Sequence, residues 1–136
     1  MATGKKLAIF LFVVLLAIGL YLSVRIWHLQ AGRASYEAAM RLYADKKYAE
    51  AARALRSVSE THPHAAEGVE AFYYHCICLE LSGQREKAKE AWRAVIGDSA
   101  AKSFHPQAAF ALARLAFYEN RIDDAERHLN KLSESC

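Results

Sequence analysis

Apolar and polar positions change rhythm near residue 25. From Leu7 to Val24 the chain reads LAIFLFVVLLAIGLYLSV, 18 residues without a charge. From Arg33 onward, apolar residues instead return three and four apart, the spacing of a helix that buries one face. Nothing alternates with period two, so no strand is expected. This second region divides into six helical stretches, at about 33–45, 48–60, 65–82, 85–97, 106–119 and 122–134. The breaks DKK (45–47), SGQ (82–84) and ENR (119–121) are short. Gly83 and Asn120 suit the left-handed residue that ends a helix. Pro63 and Pro106 stand where new helices begin, since the residue before a proline resists the helical region.

Laid over one another, the stretches repeat every 37 residues. YAEAARAL (48–55), REKAKEAW (85–92) and IDDAERHL (122–129) fall in register. Ala51, Ala88 and Ala125 are the small residues of the second helix in each pair. Leu55, Trp92 and Leu129 follow one turn later, and Val58, Val95 and Leu132 continue the stripe. In the first helices Ala39, Cys76 and Ala113 are small, with Leu42, Leu79 and Ala116 a turn beyond. Small residues facing large ones at fixed places let a helix hairpin close one seam and stack on the next hairpin.

These motifs resemble the tetratricopeptide repeat. The likeness rests on the small first-helix residues, the turn at Gly83, the three second-helix segments and Pro63 after the first pair. It covers about 100 of 136 residues. Two features depart from the family pattern. The period is three longer than the usual 34, the extra residues falling in HPHAAEG and GDSAAKSF, and only Phe72 clearly supplies the aromatic that opens a first helix. The expected architecture is all-α: a transmembrane helix followed by an α-solenoid of three such hairpins. The divisions are a tail (1–6), a span (7–27), a linker (28–34) and a repeat domain (35–136) with units at about 33–62, 66–99 and 106–136.

The resemblance also implies a use. Arrays of this family bind peptide segments on the concave face of their first helices. Here that face is expected to carry Arg33, Tyr36, Met40 and Tyr43 in the first unit. Glu70, Tyr73, Ile77 and Glu80 follow in the second, and Gln107, Phe110, Arg114, Phe117 and Tyr118 in the third. Tyr36, Tyr73 and Phe110 share the 37-residue register, so an aromatic row is expected along the groove. Rigid aromatics with a few charges are what protein-binding patches use; filling contacts between neighbouring first helices is the competing role. The Lys and Asn set that grips a C-terminal carboxylate in chaperone-binding members is missing at Tyr36, Met40 and Tyr73.

The apolar segment reaches about 27 Å as a helix, close to the ~30 Å hydrocarbon core of a bilayer. Ile26 and Trp27 extend it to the interface, where Trp is favoured. A signal peptide shares the basic start, Lys5 and Lys6, but its apolar stretch is only ~7–15 residues. LQAG (29–32) resembles a lipid-attachment box until Arg33 stands where Cys is required. An uncleaved anchor is therefore the expectation. The 18 Lys and Arg, less Lys5, Lys6 and Arg25, leave 15 from Arg33 onward, against all 15 Asp and Glu. The formal +3 thus sits around the apolar segment, and the neutral remainder lacks the basic face that nucleic-acid binding needs. Lys5 and Lys6 favour a cytoplasmic N-terminus with the repeat domain outside, periplasmic in a bacterium; a cytoplasmic domain is the alternative.

Candidate chemistry is sparse. Cys76 and Cys78, two apart on a helix, point to nearly opposite sides and read as small buried residues. Cys136 is a free thiol or the mark of a cut chain. His62 and His64 form H-x-H in a loop and His105 precedes Pro106, without the further ligands a metal site requires. His75 and Cys76 are helix neighbours and do not face each other. No phosphate-cradling loop, nucleophile elbow or acid–base pair is present, so neither an enzyme nor a cofactor or small-molecule substrate is expected. The reading is a membrane-anchored adaptor or scaffold for protein partners, themselves membrane-associated. Its alternative is an accessory subunit of a large membrane complex. Leu129 and Leu132 on the final helix lack a further helix to solvate that end of the stack.

Overall fold

The computed structural model describes residues 2–135, and every regular element among them is helical. Six α-helices follow in order: α1 Ala2–Ala44, α2 Tyr48–Thr61, α3 Ala66–Leu81, α4 Arg85–Gly97, α5 His105–Tyr118 and α6 Ile122–Ser135. A 3-10 turn, Ser99–Phe104, separates α4 from α5. Helix boundaries beyond Ala44 agree with the periodicity to within one residue.

Three tight turns join α1 to α2, α3 to α4 and α5 to α6, and they share one hydrogen-bond pattern. Lys46, Gly83 and Asn120, 37 residues apart, adopt positive φ of 59°, 78° and 60°. Each donates its N–H to the carbonyl three residues back (Tyr43, Glu80, Phe117) at 3.0 Å. The next residue (Lys47, Gln84, Arg121) donates to the carbonyl five back at 2.9 Å. This double closure satisfies carbonyls that a helix end leaves open. The sequence register is thus repeated in backbone geometry, including at Lys46, which carries no turn signal of its own.

Each helix packs on the next along the chain, and α1 also touches α3. The residues at the repeated small positions are all buried: Ala51, Ala88 and Ala125 in the second helices, Ala39, Cys76 and Ala113 in the first. Leu55, Trp92, Val58 and Val95 fill the core beside them, whereas Leu129 remains 44% exposed. The α2–α3 interface is the most extensive of those beyond α1. It is pinned by buried His75, whose Nδ1 donates to the Ala52 carbonyl at 2.7 Å. Burial holds this imidazole below its ordinary pKa, since charging it there would forfeit hydration.

Two features differ from the periodic pattern. First, residues 28–34 are not a linker: α1 runs unbroken through them. Gly32 does not kink the helix. It is buried, and a Cβ there would lie 3.0 Å from Nε2 of His62, so its bareness admits the α2–α3 turn against α1. Gly68 lies still closer to that turn, since a Cβ would meet the His62 carbonyl oxygen at 1.8 Å. Second, among the described residues no Cα of α3 comes within 8 Å of one in α5. The 3-10 turn stands between them. Asp98 starts it by accepting from the Ala100 N–H at 2.9 Å, and Phe104 at its end stacks on Tyr73 with centroids 4.6 Å apart. Of the two segments that lengthen the period, the second, GDSAAKSF, lies between α3 and α5.

Candidate partner-binding cleft

A cleft of about 880 Å³ remains between α3 and α5. Tyr73, Ile77, Glu80 and Leu81 form one wall, and Gln107, Phe110, Arg114 and Tyr118 the other. Trp92 and Ala111 lie deeper, with Tyr43 and Leu132 also on the lining. Of the residues expected on the concave face, Tyr43, Tyr73, Ile77, Glu80, Gln107, Phe110, Arg114 and Tyr118 therefore come together.

The remaining five do not reach the cleft. Arg33 is exposed on α1 and pairs with Glu37 at 3.2 Å. Tyr36 lies against Glu70; burial and this carboxylate both hold its phenol protonated well above the usual range. Met40 packs on the core edge. Phe117 is 66% exposed, edge-on to Tyr118. The expected row of Tyr36, Tyr73 and Phe110 is thus interrupted at its first member. A different aromatic chain occupies the region: Tyr48, Tyr43, Tyr74 and Tyr73 are in ring contact in turn, and Tyr73 also meets both Trp92 and Phe104. Packing and loss of hydration raise the pKa of Tyr43 and Tyr73.

Glu80 organises the cleft electrostatically. Oε1 accepts from Nε1 of buried Trp92 at 2.6 Å, and Oε2 pairs with the Arg114 guanidinium from α5. One carboxylate so joins α3, α4 and α5 across the gap that the helices leave open. Arg114 also lies over the Phe110 ring, 5.9 Å from its centroid, a cation–π arrangement. The floor is therefore tied and the charges compensated, while Phe110 and Tyr118, at 55% and 64% exposure, and Leu81 stand open to solvent at the rim. An apolar, aromatic rim around a few fixed polar groups is suited to apolar side chains of a ligand.

A second ion cluster secures α5 to α4. Lys89, largely buried, meets Glu86 and Glu119 at 2.7 Å each, and these bonds raise its pKa. No family model, curated protein or solved structure matches the chain. The cleft must therefore be judged on its own chemistry.

Several positions gave no local signal. Phe104 lies in the irregular spacer, and Lys89 belongs to a solvated-looking charge run. The Trp92–Glu80–Arg114 bridge joins residues 12 and 34 apart. Glu80 and Arg114 were both expected on the concave face, but nothing in the sequence paired them with each other or with Trp92. The other singled-out groups are accounted for by structure. Cys76 and Cys78 are buried thiols with pKa pushed up, that of Cys78 to about 11. His62 packs on Gly32, His64 is exposed, and His105 Nε2 donates to the Asp98 carbonyl at 2.9 Å. Cys136 lies outside the described residues.

Proposed function

We propose that this chain is a membrane-anchored tetratricopeptide-like adaptor that holds a protein partner, itself associated with the membrane, in the α3–α5 cleft, without catalysis of its own. The carrying observation is the open aromatic rim, Phe110 and Tyr118, above a floor fixed by Glu80. Exposed rings beside a preformed cleft supply contact area at low conformational cost. The anchor reading draws on α1, which is long and apolar enough to cross a membrane and has a wholly unburied apolar stretch. Lys5 and Lys6 support a cytoplasmic N-terminus and an extracytoplasmic domain. A cysteine introduced at exposed Ala100, challenged with an impermeant maleimide on sealed cells, decides the side.

The test of the cleft is a mild-detergent pull-down of the full chain against the Phe110→Ala/Tyr118→Ala double variant. Both rings are exposed, so the variant keeps its fold, which circular dichroism verifies. Loss of the captured partner is expected, and undiminished capture overturns the reading. The alternative, an accessory subunit of a larger membrane complex, is favoured by one observation: Phe117, Ile122 and Leu129 expose apolar surface where α5 and α6 end the stack. It predicts that Phe117→Ser/Ile122→Ser, rather than the cleft variant, releases the partner.

A further inference from the structure

A second pocket lies between α2 and α4, with α3 as its floor. Among the described residues no Cα of α2 comes within 8 Å of one in α4. The gap holds about 410 Å³ and shares no lining residue with the α3–α5 cleft. That volume falls within the ~300–1,000 Å³ range of small-molecule sites. Ala49, Ala52, Ala91 and Ala94 line its walls, and Phe72 and Leu79 make its floor apolar.

One polar group on that floor is only half used. His75 is 5% exposed, yet it lines the pocket. Its Nδ1 must carry the proton, because the Ala52 carbonyl that it meets at 2.7 Å can only accept. Burial favours the neutral ring, so Nε2 presents a bare lone pair. Nε2 has no hydrogen-bond partner among the described residues, and no fully buried polar side-chain atom among them lacks one. Nε2 therefore reaches solvent through the pocket. A ligand that displaces water there must bring a donor of its own. The Phe72 ring beside the imidazole, centroids 5.6 Å apart, offers apolar aromatic surface to the body of such a ligand. The rim selects no charge. Arg56 is spent on Glu60 at 2.7 Å, and Arg53 and Lys87 share the mouth with Glu90. All five are solvent-exposed, where salt and water screen them.

We infer that the α2–α4 pocket binds a small neutral molecule of the phenol class, its hydroxyl donating to His75 Nε2 and its ring seated among the alanines and Phe72. The fixed tautomer makes the site selective for a donor, and the alanine walls supply the room. The site is separate from the partner-binding cleft and does not depend on it.

The test titrates phenol into the full chain in mild detergent at about pH 8, above the ordinary histidine pKa, with the histidine nitrogens isotopically labelled for magnetic resonance. Anisole, its O-methylated counterpart without a donor, is titrated in parallel. The His75 ring signals are assigned by their loss in His75→Gln. The free protein should show a protonated Nδ1 and a bare Nε2. Phenol should move the Nε2 signal saturably, and anisole should need roughly tenfold more to do the same, since it leaves the acceptor unpaired. Ala94→Leu fills the pocket from an exposed helix position and leaves His75 in place. It should abolish the phenol response, with circular dichroism verifying its fold. A response that does not saturate, that anisole equals, or that survives Ala94→Leu overturns the site. So does a protonated Nε2 in the free protein.

Discussion

At the scale of single residues, the three equivalent turns make unequal demands. Positive φ costs a residue with a Cβ roughly 1–2 kcal/mol, and glycine nothing. Gly83 meets the demand freely, Asn120 partly, and Lys46 not at all. Lys46→Gly should therefore stabilise by about 0.5–1 kcal/mol, net of the greater freedom it gives the unfolded chain. Gly83→Ala should destabilise by about 1 kcal/mol although its surroundings are open. Denaturant titrations of the full chain in mild detergent check both signs. His75 carries a separate dependence. Its folded pKa is depressed chiefly by burial, so below about 6.5 the unfolded chain binds the proton that the folded chain refuses. Stability is then complete above that pH and declines as pH falls below it, with His128 adding in the same direction. Melting midpoints between about pH 8 and pH 5 should fall with acidification, and His75→Gln should flatten the fall.

At the scale of helices, most of the architecture was legible because each hairpin carries its own signals: a period of 37, small residues at the seam, and turn residues at 83 and 120. The break at DKK was legible, but nothing in it marked Lys46 as the left-handed residue, since lysine is no turn former. Gly32 left both a kink and a span running straight into the first helix open; the helix is continuous, and glycine there serves close packing against His62. Phe104 was hidden. It sits outside every periodic segment, and only three-dimensional folding brings it onto Tyr73. The cleft was partly legible, as first-helix faces at Tyr73, Glu80, Phe110 and Arg114. The spreading of α3 from α5 that opens it depends on the spacer and was not. The Glu80 bridge tests whether this geometry is held by side chains. Glu80→Leu leaves the buried Trp92 indole N–H without its acceptor and Arg114 without its carboxylate, which should cost about 1–3 kcal/mol. Glu80→Gln, which keeps an acceptor for Trp92, should cost less. Melting in detergent ranks the two, and the emission of Trp92, read in a Trp27→Phe background, reports whether the indole's surroundings change.

For the whole molecule, the unevenness of packing sets an order of local opening. The α2–α3 interface is broad, carries the His75–Ala52 bond and joins two helices whose inner faces are buried. The third hairpin is different. Its first helix does not approach α3, and it joins the rest through α4, the Phe104 wedge and the bonds Glu80–Arg114 and Lys89–Glu119. Its last helix buries little beyond Ala125, and Ile122 and Leu129 face solvent. Segments with few buried apolar contacts open at lower free energy than the core. Hydrogen exchange on the full chain in detergent should therefore find amides of α6 least protected, those of α5 intermediate, and those of α2 and α3 most protected. Lys89→Met should accelerate exchange in α5 and α6 while leaving α2 unchanged, because the ion cluster it removes ties only α4 to the end of α5. Uniform protection across all helices, or equal acceleration in α2, would show that the domain opens as one unit and that the wedge between the second and third hairpins has no energetic consequence. If the ordering holds, a partner seated in the cleft, touching α3 and α5 together, would protect the third hairpin most. Exchange measured with and without that partner then reports binding and location at once.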